Sequence, residues 1–311
     1  MSKTIIEYNN NFYGYPKLNP SGLGNLLWIW GRCFLWCKDY KLPVIAPNWI
    51  QFHPLRFIRL DSDLRIYNGY FTNKGYIKGW RKYYLLLKSR IIQIERYNVI
   101  PSELSRKKPI IFIFTNMNNF TPFIGRQKEI YCELFRIINP RCLPIRKSQS
   151  PFIAIHIRRG DFLKGSTEEL QTGKTNLQIP LDWYILALRA LRSRIGHNLL
   201  AIIFSDGKRV ELLNILKETN TELSSEKNAL KDLLFMSTAS VLISSRSSFS
   251  LWASYIGQIP TLYYPGTRPW NESIINSEIP FELELEWDEQ KSIPIKFLSS
   301  IMSRISSNNK L

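Results

Sequence analysis

The chain has 311 residues, with 42 Lys plus Arg against 25 Asp plus Glu, a formal net charge of +17, and 44% hydrophobic and 13% aromatic residues. That apolar content excludes intrinsic disorder, and the length suits two domains better than one. Four cysteines are too few for a disulfide scaffold of this size, and His53, His156 and His197 are too scattered to suggest a multi-histidine metal site.

Residues 1–7 contain no apolar stretch of the kind a secretory signal needs. The longest apolar run, Leu26 to Cys37, is broken by Arg32 and falls short of the roughly 20 residues of a membrane span. A cytoplasmic protein is expected, either free or peripheral at the inner face of a membrane. The positive charge has three possible partners: nucleic acid, an anionic membrane surface or a phosphorylated small molecule.

In chain order, Ile5, Ile6 and Tyr8 predict a short first strand, and Gly22-Leu23-Gly24-Asn25 turns into a helix over Leu26–Asp39. Leu42–Ala46 reads as a second strand, and 47–78 is irregular. Residues 80–97 read as a basic helix. Pro109–Thr115 is a continuous apolar run with β-branched residues, a buried strand, and a helix follows near Arg126–Ile138. Pro, polar and basic residues cluster between Asn139 and Pro151, which places a domain boundary at 148/149. The second half alternates more clearly. Strands are expected at Phe152–Ile157, Leu199–Phe204, Val241–Ser244 and Thr261–Tyr264. Helices are expected at Leu181–Arg194, from Arg209, at Ala229–Met236 and at Phe249–Ile256. Such alternation predicts parallel sheets covered by helices, hence two Rossmann-like domains facing a cleft.

Four groups of residues can carry chemistry. His156-Ile157-Arg158-Arg159-Gly160-Asp161 follows a strand directly, where open parallel sheets bind ligands. Adjacent guanidiniums there suit a diphosphate, because the planar fork pairs bidentately with phosphate oxygens. Asp161 could orient an arginine or hold a ligand hydroxyl, and a solvated loop is the alternative. Ser244-Ser245-Arg246-Ser247-Ser248-Phe249 lies between a strand and a helix, where free N–H groups and the dipole favour anions; simple capping by Ser247 or Ser248 is the alternative. Phe204-Ser205-Asp206-Gly207 ends another strand. Asp232 could accept the paired N–H groups of guanine, or could serve only as a carboxylate in a helix's first turn.

Other chemistries find less support. Neither a P-loop nor a complete Gly-x-Gly-x-x-Gly follows a strand, and no Gly-x-Ser-x-Gly is present. Asp61-Ser62-Asp63 has the Asp-x-Asp form but is a common tripeptide. Cys33 and Cys37 stand one helical turn apart and read as core. The basic stretch Lys78–Arg96, with its aromatics, reads either as an ordinary solvated face or as a surface for anionic lipid. No nucleic-acid-binding module is recognisable.

Taken together, these motifs resemble glycosyltransferase family 11, the α-1,2-fucosyltransferases. Gly22-Leu23-Gly24-Asn25 is similar to the family's Gly-x-x-Gly-Asn-Gln, and His156 to Asp161 matches His-x-Arg-Arg-Gly-Asp throughout. Phe204-Ser205-Asp206 is similar to Phe-Ser-Asp-Asp. Asp232 to Ser237 and Ser247 to Ser250 resemble Asp-Leu-x-x-Met-Ser and Asn-Ser-Ser-Phe-Ser-Trp-Trp. The resemblance implies a GT-B fold, with an acceptor-side domain over 1–148 and a donor domain over 149–311. It implies GDP-fucose as donor, inversion at the sugar, no cofactor and no metal. Arg158 and Arg159 would stabilise departing GDP, Asp232 would contact guanine, and Ser247 and Ser248 would contact phosphate. His156, Ser205, Asp206, Phe249, Gly24 and Asn25 complete the expected donor site, and Asp161 joins the two arginines as catalytic. His156, Glu168 and Glu169 are further candidates for the base. Leu26, Gly207, Arg246 and Leu251 depart from the family pattern and bear on the choice of acceptor and sugar.

The function expected is transfer of L-fucose from GDP-fucose to the 2-hydroxyl of a galactoside or similar glycan, with a lipid-linked acceptor as one option, in surface polysaccharide or O-antigen synthesis. The alternatives are the same fold with another sugar nucleotide or linkage, or a non-catalytic nucleotide- or glycan-binding relative. Nucleic acid is not an expected partner, and peripheral contact with an anionic membrane is one option.

Overall fold

The computed structural model describes residues 11–50, 67–94, 108–116, 120–144, 150–172, 174–195, 198–226, 228–268, 282–286 and 293–308. The chain divides into two compact units, Met1–Arg141 and Cys142–Leu311. The sequence reading sets this division at 148/149. Both units are mixed α/β with parallel sheets, the class that the alternation of elements predicts.

The first unit holds β1 (Phe12–Pro16), α1 (Leu23–Asp39), α2 (Trp80–Lys88), β2 (Arg90–Gln93), β3 (Ile110–Phe114) and α3 (Gln127–Ile137). Its three strands run parallel in the order β1-β3-β2. Gly14 of β1 faces α1 so closely that a Cβ would overlap the Cys37 thiol and stand 3.1 Å from that of Cys33. Both cysteines are buried and free. Arg32 of α1 is fully buried; Nη1 donates to the Asn116 carbonyl at 3.1 Å and Nη2 to that of Ile94 at 3.2 Å, and its guanidinium lies 5.5 Å over the Phe114 ring.

Three predicted elements of this unit come out differently. The stretch read as one helix over 80–97 stops at Lys88. Ser89 is extended, and Arg90–Gln93 pairs with β3, where β-branched Ile91 and Ile92 fit a pleated surface; residues 95–97 lie outside the described residues. Leu42–Ala46 makes only isolated bridges, Gly14↔Val44 and Ile45↔Ile77. The strand expected at Ile5–Tyr8 lies outside the described residues, and the first strand described is β1.

The second unit contains β4 (Phe152–Ile157), α4 (Thr167–Gln171), α5 (Leu181–Ile195), β5 (Leu200–Ser205), α6 (Leu213–Leu216), β6 (Thr221–Leu223) and α7 (Ala229–Met236). It continues with β7 (Val241–Ile243), α8 (Ser248–Gly257), β8 (Thr261–Tyr263), β9 (Glu282–Glu284) and α9 (Ile295–Asn308). The sheet order is β6-β5-β4-β7-β8-β9, with every pair parallel. Counted from β4 this is 3-2-1-4-5-6, the doubly wound dinucleotide-binding order. The period of two along β4 explains the layering. Ile153, Ile155 and Ile157 face a core built with α5 and α9, whereas Phe152 and Ala154 face one built with α7 and α8. The strand is buried at all six positions, as parallel strands covered on both faces are.

Candidate active site

In a doubly wound sheet the strand order reverses at one point, and the crevice beyond the carboxyl ends there is the natural ligand site. In the second unit that point lies between β4 and β7. The loops leaving it are 158–163 after β4 and 244–247 after β7, with the β5 loop at 206–208 beside them. Three of the four groups singled out in the sequence therefore meet along one edge.

His156 bridges the crevice. Its Nδ1 lies 2.8 Å from the Ser245 hydroxyl and 3.2 Å from that of Ser247. The imidazole packs on the Phe249 ring, with centroids 5.3 Å apart. Burial first, and the nearby Arg158 guanidinium second, push this histidine down to about 3, so it stands neutral at physiological pH. Ser247 also caps α8 by accepting the Ser250 N–H at 3.3 Å, and Ser248 opens the helix. Ser247 thus both caps α8 and reaches His156 across the crevice.

Arg158 and Arg159 part company. Arg158 pairs with Asp161 in its own loop, and its Nη1 lies 2.8 Å from Asp206 Oδ2. Its guanidinium sits 5.1 Å over the Phe162 ring. Its Nε is buried without a partner. Arg159 turns inward instead. It is buried, and Nη1 donates to the Ile179 carbonyl at 3.0 Å. Its backbone N–H donates to Asp206 Oδ1 at 2.8 Å. One carboxylate thus fixes both the Arg158 head and the Arg159 backbone. Ser205 turns back locally, its hydroxyl accepting the Gly207 N–H at 3.0 Å.

Several supporting residues carry no sequence signal. Gln178 donates to the carbonyls of Phe162, at 2.8 Å, and Arg159, at 3.2 Å, and so ties the arginine loop from a distant segment. The phenol of buried Tyr184 lies within electrostatic reach of Arg159 and Asp206, and burial raises its pKa. Ser245 lies within the serine-rich segment after β7, but only its contact with His156 marks it out. Arg246 occupies a left-handed backbone conformation, φ 60°, and its N–H donates to the Ser244 hydroxyl at 3.1 Å.

Asp232 stands apart, on the first turn of α7 above the end of β6. Its Oδ1 accepts from the Ser224 hydroxyl at 2.6 Å. Burial pushes its carboxyl up to about 7, the Ser224 hydrogen bond opposes the shift, and Glu226 adds to it. Among the other base candidates, Glu169 closes a capping box with Ser166 and pairs with Lys174, while Glu168 lies in the same exposed first turn. Gly24 and Asn25 lie in the first turn of α1 in the first unit. Among the described residues no group of three or more His, Cys, Asp or Glu gathers in a way that could hold a metal ion. Asp61 and Asp63 lie outside those residues.

The family described as Glycosyl transferase family 11 matches residues 78–271, more than half of the chain. No curated protein matches it. Among solved structures, the fucosyltransferase NodZ from Bradyrhizobium is similar at 10% identity and a TM-score of 0.48, over 83% of this chain and 95% of that one. POFUT1 in complex with GDP is similar at 14% identity and a TM-score of 0.48, over 82% of this chain and 98% of that one.

Proposed function

The chain belongs to glycosyl transferase family 11, and we propose that it moves L-fucose from GDP-fucose to the 2-hydroxyl of a galactoside or similar glycan, with inversion and without a metal ion. The GT-B arrangement and a role in surface polysaccharide or O-antigen synthesis belong to the same reading. One observation carries it: the arginine loop and the serine-rich helix start meet at the switch point of a 3-2-1-4-5-6 sheet, joined through His156.

That arrangement suits a nucleoside diphosphate. The start of α8 presents the first-turn backbone and the Ser247 and Ser248 hydroxyls, where a helix N-terminus favours phosphate oxygens. Arg158, held by Asp161 and Asp206, supplies a fixed positive charge. The leaving GDP gains negative charge as the sugar bond breaks. A preorganised cation stabilises that charge with little reorganisation, and losing such a donor typically costs about 10²–10³ in rate. Neutral His156 orients hydroxyls rather than adding charge, and Phe249 shields it. Arg159 acts from behind, holding the loop in place. Asp232, at the far end of the sheet edge, takes the base: an ionised carboxylate accepts two N–H groups of guanine. Asp161 is assigned as the group that receives the acceptor's proton. A weak base suffices where the transferred sugar is oxocarbenium-like.

Calorimetric titration with GDP, GDP-fucose, GDP-mannose and UDP-galactose in EDTA tests the donor. Micromolar binding confined to GDP and GDP-fucose is expected. Preference for another sugar nucleotide, or turnover that needs an added metal, overturns the reading. NMR of the product formed on a galactoside reports the linkage.

A further inference from the structure

We propose that the outer face of α2 seats the first unit on an anionic lipid bilayer surface. Helix α2 carries two apolar stripes on opposite sides. The inner one runs through Lys82, Leu85 and Leu86. Leu85 is buried with Tyr13, Ile45 and Ile111, Leu86 packs on the same cluster, and the Lys82 ammonium lies 5.4 Å over the Tyr15 ring. The outer stripe is Trp80, Tyr83, Tyr84 and Leu87, spaced i, i+3, i+4, i+7. That spacing is the pattern of a face meant to be covered. Yet Trp80 is 79% exposed and Leu87 84%. The inner stripe already anchors the helix, so the outer one is not needed for the core. Exposed Arg81 and Lys88 flank it, and β2, at the sheet edge, adds exposed Arg90 and Ile91.

Charge identifies the occupant. From Tyr67 to Ile94 the chain has no Asp or Glu and six cations, Lys74, Lys78, Arg81, Lys82, Lys88 and Arg90. A second copy docked about a two-fold axis would set this patch against itself, cations facing cations. A nucleic acid would take the cations and stack on the rings, but would leave Leu87 and Ile91 without an apolar partner. An anionic bilayer accepts every outward part. Trp80 and the two tyrosines fit the headgroup level, Leu87 the acyl boundary, and the exposed cations Lys74, Lys78, Arg81, Lys88 and Arg90 the anionic headgroups, while Lys82 stays with Tyr15 on the inner side. Among the described residues no helix is long and apolar enough to cross a membrane, so α2 would lie on the surface.

The test is flotation of the full chain with vesicles of phosphatidylcholine alone and of phosphatidylcholine mixed with phosphatidylglycerol. Binding only to the anionic vesicles, weakened by salt, is expected. In the double variant Trp80→Asp, Leu87→Asp the bound fraction should fall at least about tenfold, with thermal melting and GDP titration unchanged because both side chains are exposed. Equal binding to both vesicle types, binding to neither, or unchanged binding by the double variant overturns the proposal. So does a patch-dependent dimer or RNA complex without vesicle binding. The inference does not rest on the fucosyl reading, which the GDP titration addresses separately.

Discussion

A Cβ on Gly160 would overlap the Asp206 carboxylate. Gly160 is not among the left-handed glycines, so what matters here is the missing side chain rather than its backbone freedom. The gap lets one carboxylate reach across from the β5 loop to the β4 loop, taking the Arg159 N–H on one oxygen and the Arg158 guanidinium on the other. Gly160→Ala should therefore push Asp206 aside. A stability loss of about 1–3 kcal/mol, typical of overpacking, is expected in denaturant titration. GDP affinity should fall with it, by at least about tenfold if the Arg158 head is released.

The two arginines should separate by assay. Arg158→Lys keeps a charge but loses the planar fork. Its pairs are partly exposed, so stability should change by less than about 1 kcal/mol, while kcat falls by about 10²–10³. Arg159→Ala removes a buried side chain and its bond to the Ile179 carbonyl. The sequence alone suggests a pure loss of transfer; the burial predicts a loss of about 2–4 kcal/mol of stability as well. Equal melting curves for the two variants would contradict the division.

His156 and Asp232 should pull the pH dependence of stability in opposite directions. His156 is held down at about 3 from 6.5. Between those values the unfolded chain binds the proton and the folded one does not, so stability falls as pH drops through 6 towards 3. Asp232 is held up at about 7 from 3.8. There the folded chain keeps the proton longer, so stability falls as pH rises from 4 towards 7. Subtracting the Asp232→Asn profile from wild type should leave a decline over pH 4–7. Subtracting His156→Gln should leave a rise over pH 3–6. Two flat difference curves would mean that neither group is perturbed.

The same carboxyl predicts a binding signature. If guanine needs ionised Asp232, then at pH 6 only about a tenth of the protein is competent, given a value near 7. GDP affinity should weaken about tenfold from pH 8 to pH 6, and Asp232→Asn should abolish that slope. A slope that survives the substitution would move the base-recognition role elsewhere.

Arg246 holds a conformation, φ 60°, that Asn tolerates and bulkier residues resist. The resembled family has Asn at this position. Arg246→Asn should therefore gain about 1 kcal/mol in denaturant titration, while altered donor selectivity would reveal a use for the guanidinium. A loss of stability would mean that side-chain contacts outweigh the strain.

Much of the second unit was legible because its signals are strong. Phe152–Ile157 is apolar at every position but His156 and Ala229–Met236 has an apolar helical period, and both pairs of boundaries agree with the structure. Thr221–Leu223 is three half-buried residues with no contrast to its surroundings, and Glu282–Glu284 follows a strand by no local pattern; neither could be read. The motif residues were legible because they follow such strands directly. Gln178 and Ile179 were not, since the amide of one meets the Arg159 carbonyl and the carbonyl of the other meets the Arg159 guanidinium, contacts that no local pattern marks. Gly207 looked like a departure from the family pattern. A Cβ there would come within 2.8 Å of Arg159 Cγ, so the inward turn of Arg159 supplies its reason. In the first unit, local reading joined α2 to β2 because both stretches are basic and apolar, and only pairing with β3 separates them.

The strand order also sets a sequence of events. The crevice lies between β4 and β7, yet residues 158–240 intervene, building out one flank of the sheet before the chain returns to the other. During synthesis, a nascent chain that has just emitted Arg158 and Arg159 has no opposite wall for them. His156 finds Ser245 and Ser247 only after that excursion is complete. Until then the arginine loop has no facing wall, so the proposed nucleotide site can be completed only after residues 241–250 have joined the sheet.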